Sequence, residues 1–146
     1  MCMALYLFTD NAVSEIEYDQ ARPAMHIQLA VREWESAVWQ WGFPQKNIYY
    51  IGSYMGCGCG WGLPPLGENG VEESDVAAVR RDRESLARLL LAGDFAGSRL
   101  VLCWEGDQGA ALRRQIPLYP EQLLDAHFEF EELAEYGIVS RHGKGG

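Results

Sequence analysis

Seven consecutive residues, Gly56-Cys57-Gly58-Cys59-Gly60-Trp61-Gly62, place a glycine at every second position around two thiols and an indole. That spacing constrains the fold more than any other feature. Glycine gives up the most backbone freedom on ordering, and from Gly56 to Gly70 six glycines and the Pro64-Pro65 pair argue against helix or strand and predict a long loop. Two thiols one residue apart on such a backbone are hard to explain as packing, because buried structural cysteines usually sit singly among apolar neighbours. The segment before the loop, Asn47 to Ser53, has the β-branched and aromatic content of a strand. The thiols are therefore expected at a strand's carboxyl end.

The rest of the chain reads as one α/β (α+β) domain. Ala4 to Phe8 is a short apolar run stopped by Thr9-Asp10-Asn11, a buried and central strand. Met25 to Val31 is a second strand candidate, after which Trp34, Val38 and Trp41 recur at helical spacing until Gly42 and Pro44 end the pattern. With Ser74 as N-cap, a helix carries Val76, Val79, Leu86, Leu89 and Leu90 on its apolar stripe, turns Arg80, Arg81, Asp82 and Glu84 to water, and closes at Gly93 or Gly97. Arg99 to Trp104 is a further buried strand, Pro120 to Ala126 a short helix, and Phe128 and Phe130 share one side of a late strand. The expectation is a single mixed sheet of about four to five strands with two main helices packed on it. A single globular domain is expected over residues 1–141, with a frayed tail over 142–146.

Composition narrows the function classes. The chain has 146 residues, of which 48% are hydrophobic, enough for one core, and no apolar run approaches the ~20 residues of a bilayer span. Met1 to Asp10 lacks the basic region and cleavage site of a secretory signal, so a cytoplasmic location is expected. In a reducing compartment the four cysteines, at 2, 57, 59 and 103, point to free, metal-bound or redox-active thiols rather than a disulfide framework. The net charge of −9 argues against nucleic acid and anionic membranes, both of which are bound through Lys and Arg. It allows a basic protein partner. Glu121, Asp125, Glu129, Glu131, Glu132 and Glu135 crowd the last quarter, either as a solvated face or as the contact surface of an inhibitor or immunity-type module.

Three chemistries suit the thiols. In the first, Cys57 and Cys59, joined by Cys2 and Cys103 from the first and fourth strands, bind a thiophilic ion such as zinc, with Gly58 freeing backbone amides toward the sulfurs and Trp61 shaping the pocket. The single-residue gap is narrower than the two to four residues of most zinc ribbons. In the second, Cys57 and Cys59 are a redox pair, but they lack the helix start that lowers an attacking thiol's pKa. In the third, removal of Met1 leaves Cys2 as an amino-terminal nucleophile. That start resembles class II glutamine amidotransferases, although the likeness covers two residues and no amide-recognition motif follows. Glu105 and Asp107 are either an acid–base pair or the start of a turn, and His26 is either a ligand or a hydrogen-bonded strand histidine. The glycine spacing matches neither the dinucleotide fingerprint nor the phosphate loop.

Tyr50, Gly52, Ser53, Gly56, Cys57, Gly58, Cys59, Gly60 and Trp61 together spell Tyr-x-Gly-Ser-x-x-Gly-Cys-Gly-Cys-Gly-aromatic. With the Met-Cys start and Cys103-Trp104 before an acidic turn, the chain resembles an uncharacterised small bacterial protein family sharing these features. The resemblance implies that Cys2, the cysteine loop and Cys103 belong to one design, and it carries no activity or cofactor with it.

Overall fold

The computed structural model describes residues 2–66 and 73–140. Met1, the expected tail and residues 67–70 of the expected loop lie outside them. Among the described residues six strands form one sheet: β1 (Met3–Thr9), β2 (His26–Leu29), β3 (Asn47–Gly52), β4 (Arg99–Trp104), β5 (Arg114–Leu118) and β6 (Ala134–Ile138), in the order β2-β3-β1-β4-β6-β5. All neighbours are antiparallel except β5 and β6, so the sheet is mixed, with six strands rather than the expected four to five. The α+β class stands.

β1 lies at the centre, as its apolar run implies. All seven of its residues are buried because both faces of the sheet are covered, which removes the usual alternation of apolar and polar positions. Leu5 and Leu7 join Ile51, Leu100 and Leu102 beneath the α-helix α1 (Glu73–Ala92), through Leu86, Ala87 and Leu90. Tyr6 and Phe8 join Tyr50, Val101 and Cys103 on the opposite face, where Val38 closes the core. Val38 belongs to Glu33–Trp41, which is helical as its spacing predicts but winds as a 3-10 helix and stops at Gly42. Helices thus cover both faces.

Four local expectations need correction. Ser74 lies inside the first turn of α1 rather than capping it. Asp82, expected to face water, is 2% exposed because its carboxylate accepts the amides of Met25 at 2.9 Å and Tyr54 at 2.8 Å. Trp34 does not pack into the core. It is 50% exposed and stacks with the Arg32 guanidinium, whose carbon lies 4.4 Å from the ring centroid. Phe128 and Phe130 precede β6 rather than forming a strand, and their rings meet edge-on at 4.9 Å beside Tyr136.

Candidate metal centre

The cysteine loop is built outward from Ser53, the buried residue following β3. Its hydroxyl donates to the Cys57 carbonyl at 2.7 Å and accepts the amides of Met55 at 3.2 Å and Gly60 at 3.1 Å. Its own amide donates to the Cys57 carbonyl at 2.8 Å. One serine thereby gathers a tight turn and the start of the next, the 3-10 helix Gly58–Gly62. The expected loop therefore contains one regular turn.

This turn lies directly on the start of β1. A β-carbon at Gly58 would come within 2.5 Å of the Met3 carbonyl oxygen and 2.9 Å of the Ala4 α-carbon, so only glycine allows the approach. The Met3 amide donates to Cys59 Sγ at 3.3 Å, placing a backbone dipole on that sulfur. Cys2, one residue before β1, is thereby carried to the loop. The three sulfurs of Cys2, Cys57 and Cys59 all lie within 4.8 Å of one another, and all three residues are half-buried. Tetrahedral ligands about 2.3 Å from a zinc ion stand roughly 3.8 Å apart, so small movements suffice to close the set around one ion.

Cys103 is not in this group. Its register partner is Ala4, and alternation along β4 turns it into the apolar layer beside Val101, where it is fully buried. The expected four-sulfur shell is therefore a three-sulfur cluster, and Cys103 serves as core packing.

Trp61 also takes a role other than the pocket wall expected of it. It is 1% exposed, donates its indole N–H to the Ile51 carbonyl at 3.0 Å and meets Phe130 edge-on. It pins the loop to the core beneath α1. Gly58, the other expected pocket residue, acts through its lack of a side chain.

Burial, more than any neighbour, pushes the Cys57 thiol up to about 12, the Cys59 backbone amide opposing the rise and the neighbouring thiols of Cys59 and Cys2 adding to it. Cys103 is likewise pushed up to about 12 by burial, with the carboxylates of Asp107, Glu132 and Glu105 contributing. A thiol held protonated is a poor nucleophile. A metal ion reverses this balance, since coordination deprotonates the sulfurs and releases the protons.

The other sequence candidates fall outside the cluster. His26 is 4% exposed, with Nδ1 3.4 Å from the Ala24 carbonyl and its ring 4.8 Å from that of Tyr18, and burial lowers its pKa. Glu105 and Asp107 form a turn closed by the Asp107 amide on the Trp104 carbonyl at 2.9 Å. Glu131, Glu132 and Glu135 are engaged internally, by Arg114, by the Trp104 indole N–H and by Arg99 respectively. Tyr50 on β3 is 3% exposed, and burial above all raises the pKa of its phenol, with Arg32 opposing the rise.

No family model, curated protein or solved structure matches this chain. Among the described residues no helix is long and apolar enough to cross a membrane.

Proposed function

We propose that this domain binds a thiophilic metal ion, zinc being the best suited, through Cys2, Cys57 and Cys59. The observation that carries the reading is the convergence of three sulfurs from segments 55 residues apart in sequence, within 4.8 Å of one another. Soft thiolates favour zinc or copper(I) over hard cations. Two features of the surroundings support it. The Met3 amide already faces Cys59, as backbone donors do around metal-bound thiolates. The raised Cys57 thiol weighs against nucleophilic or redox use of the same residues.

The test is titration of reduced protein, freed of metal, with cobalt(II) and zinc(II). One equivalent of cobalt should give the near-ultraviolet thiolate charge-transfer band, and zinc should displace it. Cys57→Ser with Cys59→Ser should abolish the band, while Cys103→Ala should retain both stoichiometry and intensity. Absence of any band, with the thiols of Cys2, Cys57 and Cys59 still freely titrating after metal addition, defeats the reading.

A further inference from the structure

A hollow of about 890 Å³ lies between α1 and the segment joining β1 to β2, beyond the end of β1 opposite Cys2. That volume falls within the roughly 300–1,000 Å³ of small-molecule sites. Its walls are fixed by hydrogen bonds. The Val13 amide donates to the Tyr49 hydroxyl at 2.8 Å, Ile16 and Ile27 exchange backbone hydrogen bonds of 2.9 Å each, and Asp82 accepts the Met25 amide at 2.9 Å. The segment is thereby tied to β3, β2 and α1, so the space beside it is preformed. Its lining is mainly apolar, with Ile16, Ile27, Leu89 and Phe95 contributing. Ile16 is 45% exposed, a large apolar side chain that the folded chain leaves uncovered.

Charges of both signs share this lining: Arg88 within α1 and Asp94 just past its end. Neither side chain forms an ion pair or hydrogen bond with the other, or with any other described residue. Asp94 is held through its backbone, its carbonyl accepting the Asn11 side-chain amide at 2.7 Å, which leaves the carboxylate uncommitted. The carboxyl end of α1 adds partial negative charge on the same side, since its last residue, Ala92, also lines the hollow. A purely anionic ligand would face that end, and a purely cationic one would face Arg88. A molecule carrying both charges on an apolar body complements every part of the lining.

We propose that this hollow binds a free α-amino acid with a large apolar side chain, its carboxylate on the Arg88 guanidinium, its ammonium toward Asp94 and the end of α1, and its side chain against Ile16, Leu89 and Phe95. No lining residue belongs to the cysteine turn, so the site stands independently of the metal reading.

The experiment is calorimetric titration of the full chain with L-phenylalanine, beside 2-phenylethylamine, which lacks the carboxylate, and 3-phenylpropionate, which lacks the ammonium. The expected result is saturable binding of one L-phenylalanine per chain, about tenfold or more tighter than either analogue. Arg88→Gln should weaken L-phenylalanine about three- to tenfold and leave 2-phenylethylamine within about twofold. Asp94→Asn should weaken L-phenylalanine to a similar degree and spare 3-phenylpropionate. Both residues are exposed in the free chain, so unchanged melting temperatures certify the fold of the variants. Absence of saturable L-phenylalanine binding overturns the proposal, as does an analogue that binds equally well. L-phenylalanine affinity unchanged in both variants, or lost in step with the analogue that lacks the partner of the altered charge, overturns it too.

Discussion

Gly58 and Met3 stand so close that a single added carbon on the glycine would lie 2.5 Å from the Met3 carbonyl oxygen. That contact is between backbones, so no flexible side chain can yield. It sets how near the Cys57–Cys59 turn can come to Cys2. Gly58→Ala should therefore push the turn off β1, costing about 1–3 kcal/mol as overpacked sites do. Metal affinity should fall by more than the stability loss accounts for, because Cys2 is separated from its partners. Urea unfolding paired with cobalt titration reads both quantities, and wild-type affinity in the Gly58→Ala variant would show that the approach is dispensable.

Ser53 holds the turn from the other side. Ser53→Ala removes the donor to the Cys57 carbonyl and the acceptor of the buried Gly60 amide. Leaving a buried amide unpaired costs about 1–3 kcal/mol, so the unfolding midpoint should drop with an unchanged denaturant slope. Ser53→Thr, which keeps the hydroxyl, should recover part of the loss. If alanine and wild type unfold alike, water replaces the serine and the turn is self-supporting.

The raised Cys57 thiol makes the site sensitive to pH in two ways. Coordination must remove its proton, so metal affinity should climb about tenfold or more for each pH unit between roughly 6 and 8. In the metal-free protein the sign is opposite. The folded pKa of about 12 lies above the ordinary 9.0, so the fold favours the protonated thiol. This contribution is fully present below 9.0 and is lost as pH rises through about 12. Denaturation at a series of alkaline pH values should show a decline that Cys57→Ser flattens; equal slopes in the two proteins would refute the assignment.

Asp82 should rank among the more sensitive positions of α1. Its carboxylate receives the amides of Met25 and Tyr54, joining the helix to the start of β2 and to the turn that follows β3. Asp82→Ala strands both amides and should destabilise the domain by about 3 kcal/mol, against less than about 1 kcal/mol for the neighbouring exposed Glu84→Ala. Thermal melts of the two variants decide the matter, and similar losses would mean that the amides find other acceptors.

The parts legible in the sequence are those where one physical rule acts alone. β1, β3 and β4 are dense apolar runs bounded by turn residues, and α1 has a clear stripe, so each falls at or near its expected place. β5 and β6 escape a sequence reading because Pro117 and Gly137 interrupt them and because β6 starts within an acidic run. Pro117 is tolerated since β5 is an edge strand, which only the assembled sheet reveals. The glycine and cysteine alternation marks the loop that carries Cys57 and Cys59, and the count of thiols adds Cys2, whose sulfur lies beside theirs. Cys103 is misassigned because ligand counting ignores which way a strand residue faces: at register with Ala4 it points into the layer closed by Val38. Asp82 escapes notice because helical periodicity reports the apolar stripe and says nothing of backbone amides arriving from other elements.

β1 is bracketed by strands that come much later in the chain, residues 47–52 on one side and 99–104 on the other. During synthesis the first strand must therefore wait, unpaired and largely apolar, for neighbours still on the ribosome. A metal gripped by Cys2, Cys57 and Cys59 would fasten β1 to the β3 end before β4 has emerged. Availability of the ion at that moment would then govern how much newly made chain escapes aggregation.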